Sequence, residues 1–365
     1  MQSVTPLANQ SSFVTLVTPN IAGQWTPTPT FTLSLSYSTE IAIYHSASSE
    51  EYVAHRGTFN LGGKVKDTTW ELLNGITWIE GNHQSLTFTG PGGAPALGGV
   101  PLRDRRAAAI YRESFKLQHS VGNWFLRPVA SVYVHDFHTV QSAAAGYQNY
   151  ADRSDVNGGL DVGYKAFKDA CIVLGYRHGS QEQSTVLTSP IEYGNTYERF
   201  LAGIEGKPAK WLKWSLMIGP DYRSFGPNIA AGFDRHKTKV FLDFTATLTP
   251  AKAETITLIA KRFEQPGYGG KSVYEDSTYE VSWRHKFNDK FSASLGARAL
   301  NWNFELPVKR DEWWYSGNAS ATYALSKHLA AELSYTYDQI ESLIPNTAGR
   351  EAKRHLVSLG VKYVF

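Results

Sequence analysis

The final eleven residues, His355 to Phe365, read His-Leu-Val-Ser-Leu-Gly-Val-Lys-Tyr-Val-Phe. Every second residue back from the end is apolar or aromatic: Phe365, Tyr363, Val361, Leu359 and Val357. The residues between them, Val364, Lys362, Gly360, Ser358 and Leu356, are smaller or more polar on balance. Side chains alternate across a strand, so this pattern is a strand with one apolar face. Left bare, such a strand is an edge that invites aggregation. A closed barrel pairs its last strand with its first and leaves no edge. An ending of this kind therefore favours an all-β ring over an open sheet.

The same two-residue period recurs upstream. Trp313, Tyr315, Gly317, Ala319, Ala321, Tyr323 and Leu325 oppose Ser316, Asn318, Ser320 and Thr322, and Val240, Leu242, Phe244, Ala246 and Leu248 oppose Asp243, Thr245 and Thr247. The runs have the length that a tilted strand needs to cross a bilayer, roughly 9–11 residues. No apolar run reaches the roughly 18 residues of a transmembrane helix. Aromatic residues nevertheless make 13% of the chain, and there are 31 glycines. Aromatic girdles outside and small or polar residues inside are the composition of a membrane barrel. Turn signals alternate with longer stretches. Short turns are expected near 119–123, 168–169, 207–210, 249–253, 288–290 and 326–328. Long loops are expected near 138–155, 181–194, 225–235, 266–274, 304–311 and 342–351.

The terminal strand resembles the C-terminal assembly signal of Gram-negative outer-membrane β-barrels, through Val357, Leu359, Val361, Tyr363 and Phe365. The wider pattern resembles the porin-like barrels of that class. The resemblance implies one antiparallel, up-and-down transmembrane barrel over residues 29–365, of about 16 strands with 14 as the alternative, preceded by a periplasmic or lumenal lead-in over 1–28. It implies short periplasmic turns, long extracellular loops and an outer-membrane location. It also implies contact with the lipid bilayer, lipopolysaccharide and the barrel-assembly machinery. Residues 1–30 show neither a charged start nor a continuous apolar core, so an export signal is expected to have been removed or to precede Met1.

If the apolar face meets lipid, the other face meets the lumen. The expected pore-lining set is Lys165, Arg177, Arg199, Glu205, Lys213, Asp221, Asp243, Glu280, Arg284, Arg298, Glu332 and Asp338. Ionised groups are penalised in a dry core, and about 16 strands enclose water, so the lumen is expected to be open or partly open. The third long loop is the constriction loop of general porins; by loop order alone, Asp152, Arg153 and Asp155 become candidates. Residues 90–104 form a second candidate inward loop, and Arg103 to Arg106 a candidate patch for lipopolysaccharide phosphates.

Other chemistry finds little support. His135 and His138 point to opposite faces of a strand and cannot share a metal there; both are expected at the rim. Residues 267–272 echo a phosphate loop, but Gln265 stands where the first glycine should be. One cysteine, Cys171, excludes an intramolecular disulfide. The net charge of +3 gives no case for nucleic acid. The expectation is a cofactor-free, metal-free, non-enzymatic channel for passive diffusion of small hydrophilic solutes or ions. Two alternatives stay open. One is a sheath or export barrel within an envelope complex, for exopolysaccharide secretion or a porin–cytochrome conduit; the other is a barrel enzyme near His135. A homo-oligomer is compatible with each.

Overall fold

The computed structural model describes residues 11–46, 48, 51–81, 107–138, 140–143, 149–267, 272–305, 309–342 and 352–364. Phe365, residues 90–104, the basic run 103–106 and the tip of the 138–155 loop at 144–148 lie outside the described residues, as does most of the phosphate-loop echo.

Eighteen strands and no helix longer than a turn appear among the described residues. In order they are β1 (Val14–Val17), β2 (Asn20–Thr28), β3 (Phe31–Tyr44), β4 (Tyr52–Val65), β5 (Thr68–Gly81) and β6 (Ala108–Val121). There follow β7 (Trp124–Phe137), β8 (Arg153–Phe167), β9 (Ala170–Gln183), β10 (Asn195–Ala209), β11 (Leu212–Phe225) and β12 (His236–Leu248). The last six are β13 (Glu254–Pro266), β14 (Val273–Lys286), β15 (Phe291–Phe304), β16 (Arg310–Ala324), β17 (Leu329–Ser342) and β18 (Ala352–Tyr363). From β2 onward each strand pairs antiparallel with the next, in one up-and-down meander. β1 pairs with the far half of β3 and β2 with its near half, so the two act as one interrupted strand on the same edge.

The strand total corrects the expected 16. The two additional strands, β1 and β2, lie within residues 1–28. Three prolines disguise this segment, Pro19, Pro27 and Pro29. Proline has no N–H to give a ladder, but an edge strand needs hydrogen bonds on one side only, so it is tolerated there. From β6 onward the strands begin and end within a few residues of the expected turns and loops, because tight turns punctuate them. At the β6–β7 turn, for example, Gly122 takes a φ of +58°, open to glycine without steric cost.

Most strands carry an exposed apolar face: Val162, Leu174, Phe200, Ile218, Val240, Leu295, Leu333 and Leu359 all present themselves outward. The sheet curls so that the other face looks inward on itself. Contacts between β9 and β13, which are four strands apart, prove the curl.

One ladder departs from the rest. β11–β12 and β13–β14 are each paired over thirteen positions. β12–β13 is paired over seven, from Leu248↔Ile256 to Leu242↔Arg262, although both strands continue toward the long loops. Beyond Arg262, β13 leaves the wall and leans inward.

Candidate functional site

The inner face divides into a closed half toward the long loops and an open half toward the short turns. In the closed half, inward positions carry aromatic and aliphatic side chains. Tyr274, Leu300, Trp302, Phe304, Trp314 and Ile340 form one buried cluster across β14–β17. Ala42, Tyr52, Ala54, Ile79, Ile110 and Tyr133 form another across β3–β7. The charged set expected on the inner face thus shares that face with apolar side chains. A charged set on one face was inferred from alternation, which does not reveal that the same face turns apolar further along each strand.

Between these clusters runs a dry polar network. Asp155 on β8 accepts hydrogen bonds from Gln181 Nε2 at 2.6 Å and from the Tyr197 hydroxyl at 2.7 Å. Tyr197 reaches it over Gly179, its cross-strand partner; a Cβ there would lie 2.3 Å from the tyrosine ring. The Gln181 carbonyl accepts from Arg223 at 2.7 Å, and Arg223 also donates to Asp221 at 2.8 Å. Arg199 pairs with Asp221 at 3.1 Å, its guanidinium 4.0 Å from the Tyr197 ring centroid and 4.6 Å from that of Phe241. Charges this deep stay ionised only with such partners.

The network crosses the interior. Arg153 donates at 3.0 Å to both the Pro266 carbonyl on β13 and the Tyr274 hydroxyl on β14. Gln181 donates to the Glu264 carbonyl at 3.1 Å, and Gln183 donates to that of Gly267. Glu264 is fully buried, its carboxylate 3.4 Å from Lys239 and 3.9 Å from Arg223. Lys237 and Lys239 both engage Glu305, just past β15. The interior therefore narrows where β8 and β9 grip the displaced end of β13. Only a small void remains at this contact, lined by Tyr133, Arg153, Asp155, Gln181, Phe263 and Gln265 among others.

In the open half the inward groups meet solvent. Lys165, Lys213, Arg284 and Glu332 are exposed on the inner face. At its upper margin Arg127 bridges Asp161 at 2.9 Å and Glu205 at 2.7 Å, and Arg177 reaches Asp161 at 2.6 Å. Asp243 faces Lys261 at 3.5 Å. Glu280–Arg298 at 2.6 Å and Asp338–Arg354 at 2.5 Å are cross-strand pairs within the wall.

The sequence-derived lining residues thus share the inner face but not one environment. Arg199, Asp221, Glu280, Arg298 and Asp338 are buried, whereas the four exposed groups border the wide half. Of the three proposed loop residues only Asp152 lies in the loop. Arg153 and Asp155 belong to β8, whose first three residues fall within the expected loop, with Ser154 and Val156 on its outer face. Asp152 anchors the loop base, accepting from the Phe137 amide at 2.8 Å; burial nonetheless pushes its carboxyl above the usual range. His135 lies two residues from the long-loop end of β7. It is buried, stacked 4.2 Å from Phe137, with the Tyr133 hydroxyl 3.1 Å from Nδ1. His138 packs 4.2 Å from Trp78 instead. Val357, Leu359, Val361 and Tyr363 all lie exposed along β18.

Gln181, Gln183, Tyr197, Arg223, Glu264 and Tyr274 were missed by sequence reading. Their neighbours along the strands are largely polar as well, such as Ser180 and Glu182 around Gln181, and only the approach of β13 to β9 singles them out.

Comparison with known proteins agrees with the fold. Residues 244–365 match the family model described as "Putative beta-barrel porin 2". No curated protein sequence matches the chain. Among solved structures, the FrpB iron transporter from Neisseria meningitidis, F5-1 variant in its apoprotein form, is similar with a TM-score of 0.50 at 11% identity. That match covers 97% of this chain and 66% of the transporter. The F3-3 variant of the same transporter gives 0.49 at 9% identity, over 98% and 68%. The copper transporter OprC gives 0.48 at 11%, over 99% and 68%. The chain spans about two thirds of the length of these structures. With the single curled meander, its outward apolar stripes and the porin-type match at its C-terminal end, the chain is an outer-membrane β-barrel.

Proposed function

We propose that the barrel is a channel for passive diffusion of small hydrophilic solutes or ions, with its constriction at the layer of Arg153, Asp155, Gln181 and Arg223. One observation carries the reading. Lys165, Lys213, Arg284 and Glu332 face inward yet remain solvated, so one half of the interior is a water-filled vestibule rather than a packed core. In this reading the sheet closes into a ring where β18 meets the β1–β3 edge, the short turns face the periplasm and the long loops face outward. The vestibule then opens to the periplasm, and solutes pass the constriction between paired charges of both signs, a lining that gives weak ion preference. The reading assigns the site no catalysis.

Reconstitution into planar bilayers tests this. Discrete conductance steps from protein that also shows a heat-modifiable gel shift support it. A folded, heat-modifiable barrel that stays electrically silent, with Arg153→Ala equally silent, would overturn it.

A further inference from the structure

The β12–β13 seam is an interrupted zipper. Its last pair is Leu242↔Arg262, yet β12 extends back to His236 and β13 on to Pro266. Continuing the same register would set Phe263 opposite Phe241, Glu264 opposite Val240, Gln265 opposite Lys239 and Pro266 opposite Thr238. Phe241 and Phe263 already belong to one buried cluster with Leu201.

The displaced strand end is held by substitutes for the ladder. The Gly267 amide donates to the Ser272 carbonyl, so the odd-numbered edge of β13 faces β14. The carbonyls of Glu264 and Pro266 lie on the other edge, the one that faced β12 before the strands diverged. These two carbonyls accept from Gln181 and Arg153. Side chains from the opposite wall thus satisfy acceptors that β12 would satisfy in a zipped seam, which a membrane-spanning backbone requires. The vacated space is also present. A cleft of about 560 Å³ lies between Thr238, Lys239 and Val240 on one side and Arg262, Glu275 and Asn303 on the other. Pro266 has no N–H, so the zipped ladder would lack one donor, which narrows the gap between the two arrangements.

We infer that the long-loop end of β13–β14 is a gate. It alternates between the peeled position, clamped on Arg153, Gln181 and Gln183, and a zipped position in which residues 263–266 extend the ladder with β12, fill the cleft and withdraw from the lumen. Its effect on transport rests on the channel reading; its motion does not.

The test uses the full chain with Cys171→Ser, in liposomes. Lys239→Cys with Gln265→Cys places two thiols opposite each other in the zipped register alone, and Val240→Cys with Glu264→Cys does so on the other face. Oxidation of folded, heat-modifiable protein should trap a cross-link in at least one pair. Adding Arg153→Ala should raise the trapping rate about tenfold, the shift expected from losing a hydrogen bond made by a charged donor. Conductance should rise on oxidation and fall again with reductant. No cross-link in either pair, with or without Arg153→Ala, overturns the gate, and so does a cross-link that leaves conductance unchanged in a channel that conducts. Cross-linking in a barrel silent in both redox states supports the motion and sinks the channel reading instead.

Discussion

Two halves of the same strands, built on one alternating pattern, end in opposite environments. Toward the short turns, inward residues such as Lys165, Lys213 and Glu332 stand in solvent. Toward the long loops, inward residues of the same strands, such as Asp155, Asp221 and Ile340, are buried. Local sequence sets which face a side chain joins. How far apart the walls stand is set elsewhere, by the seven-pair β12–β13 ladder that frees one strand end to cross the interior. A charge at the wide end needs only water. A charge at the narrow end needs a partner, and Asp221, Arg199 and Arg223 supply one another.

Matched substitutions can break that contrast. The largest effect is expected from Arg223→Ala, which removes one of the two guanidinium partners of buried Asp221 and one of the two donors to the Gln181 side-chain oxygen. Loss of one member of a buried pair costs about 3–5 kcal/mol, read as a lowered denaturant midpoint of the reconstituted barrel. Lys213→Ala, at the exposed end, should move it by no more than about 0.5 kcal/mol. Equal losses would mean that the two halves are alike in solvation.

A smaller effect is expected from Gly179→Ala. Its methyl group would collide with Tyr197 and push the hydroxyl off Asp155. Overpacking of this kind costs about 1–3 kcal/mol, and loss of the Tyr197 bond to Asp155 should also loosen the constriction and raise conductance. Smallest of all, Lys165→Glu with Lys213→Glu should leave stability unchanged and shift the reversal potential toward cation preference. No shift would show that ions do not pass these groups.

Much of the architecture was legible in the chain. Alternation around Trp313–Leu325 and Val240–Leu248 fixed strand type and face, and tight turns such as 288–290 fixed strand ends. β1 and β2 were not legible, because their prolines read as breaks until an edge position excused them. The narrow half was not legible either. Trp302 and Trp314 sit on the inner face beside Arg298 and Ser316, and periodicity alone cannot say that they meet across β15–β16 at 6.2 Å between ring centroids. Arg153 and Asp155 were singled out for loop order, whereas their role comes from partners more than 20 residues away in sequence, Tyr197, Pro266 and Tyr274.

The most direct measurement is thiol accessibility along the inner face, in a Cys171→Ser background in liposomes, with a membrane-impermeant charged reagent. Cysteines at Lys165, Lys213 and Glu332 should react rapidly, and those at Asp155, Asp221 and Ile340 slowly, with Val162 and Leu174 on the lipid face unreactive. Equal reactivity at all six inner positions would contradict a lumen narrowed at one end. Rapid reaction at Val162 and Leu174 would contradict the partition of faces itself.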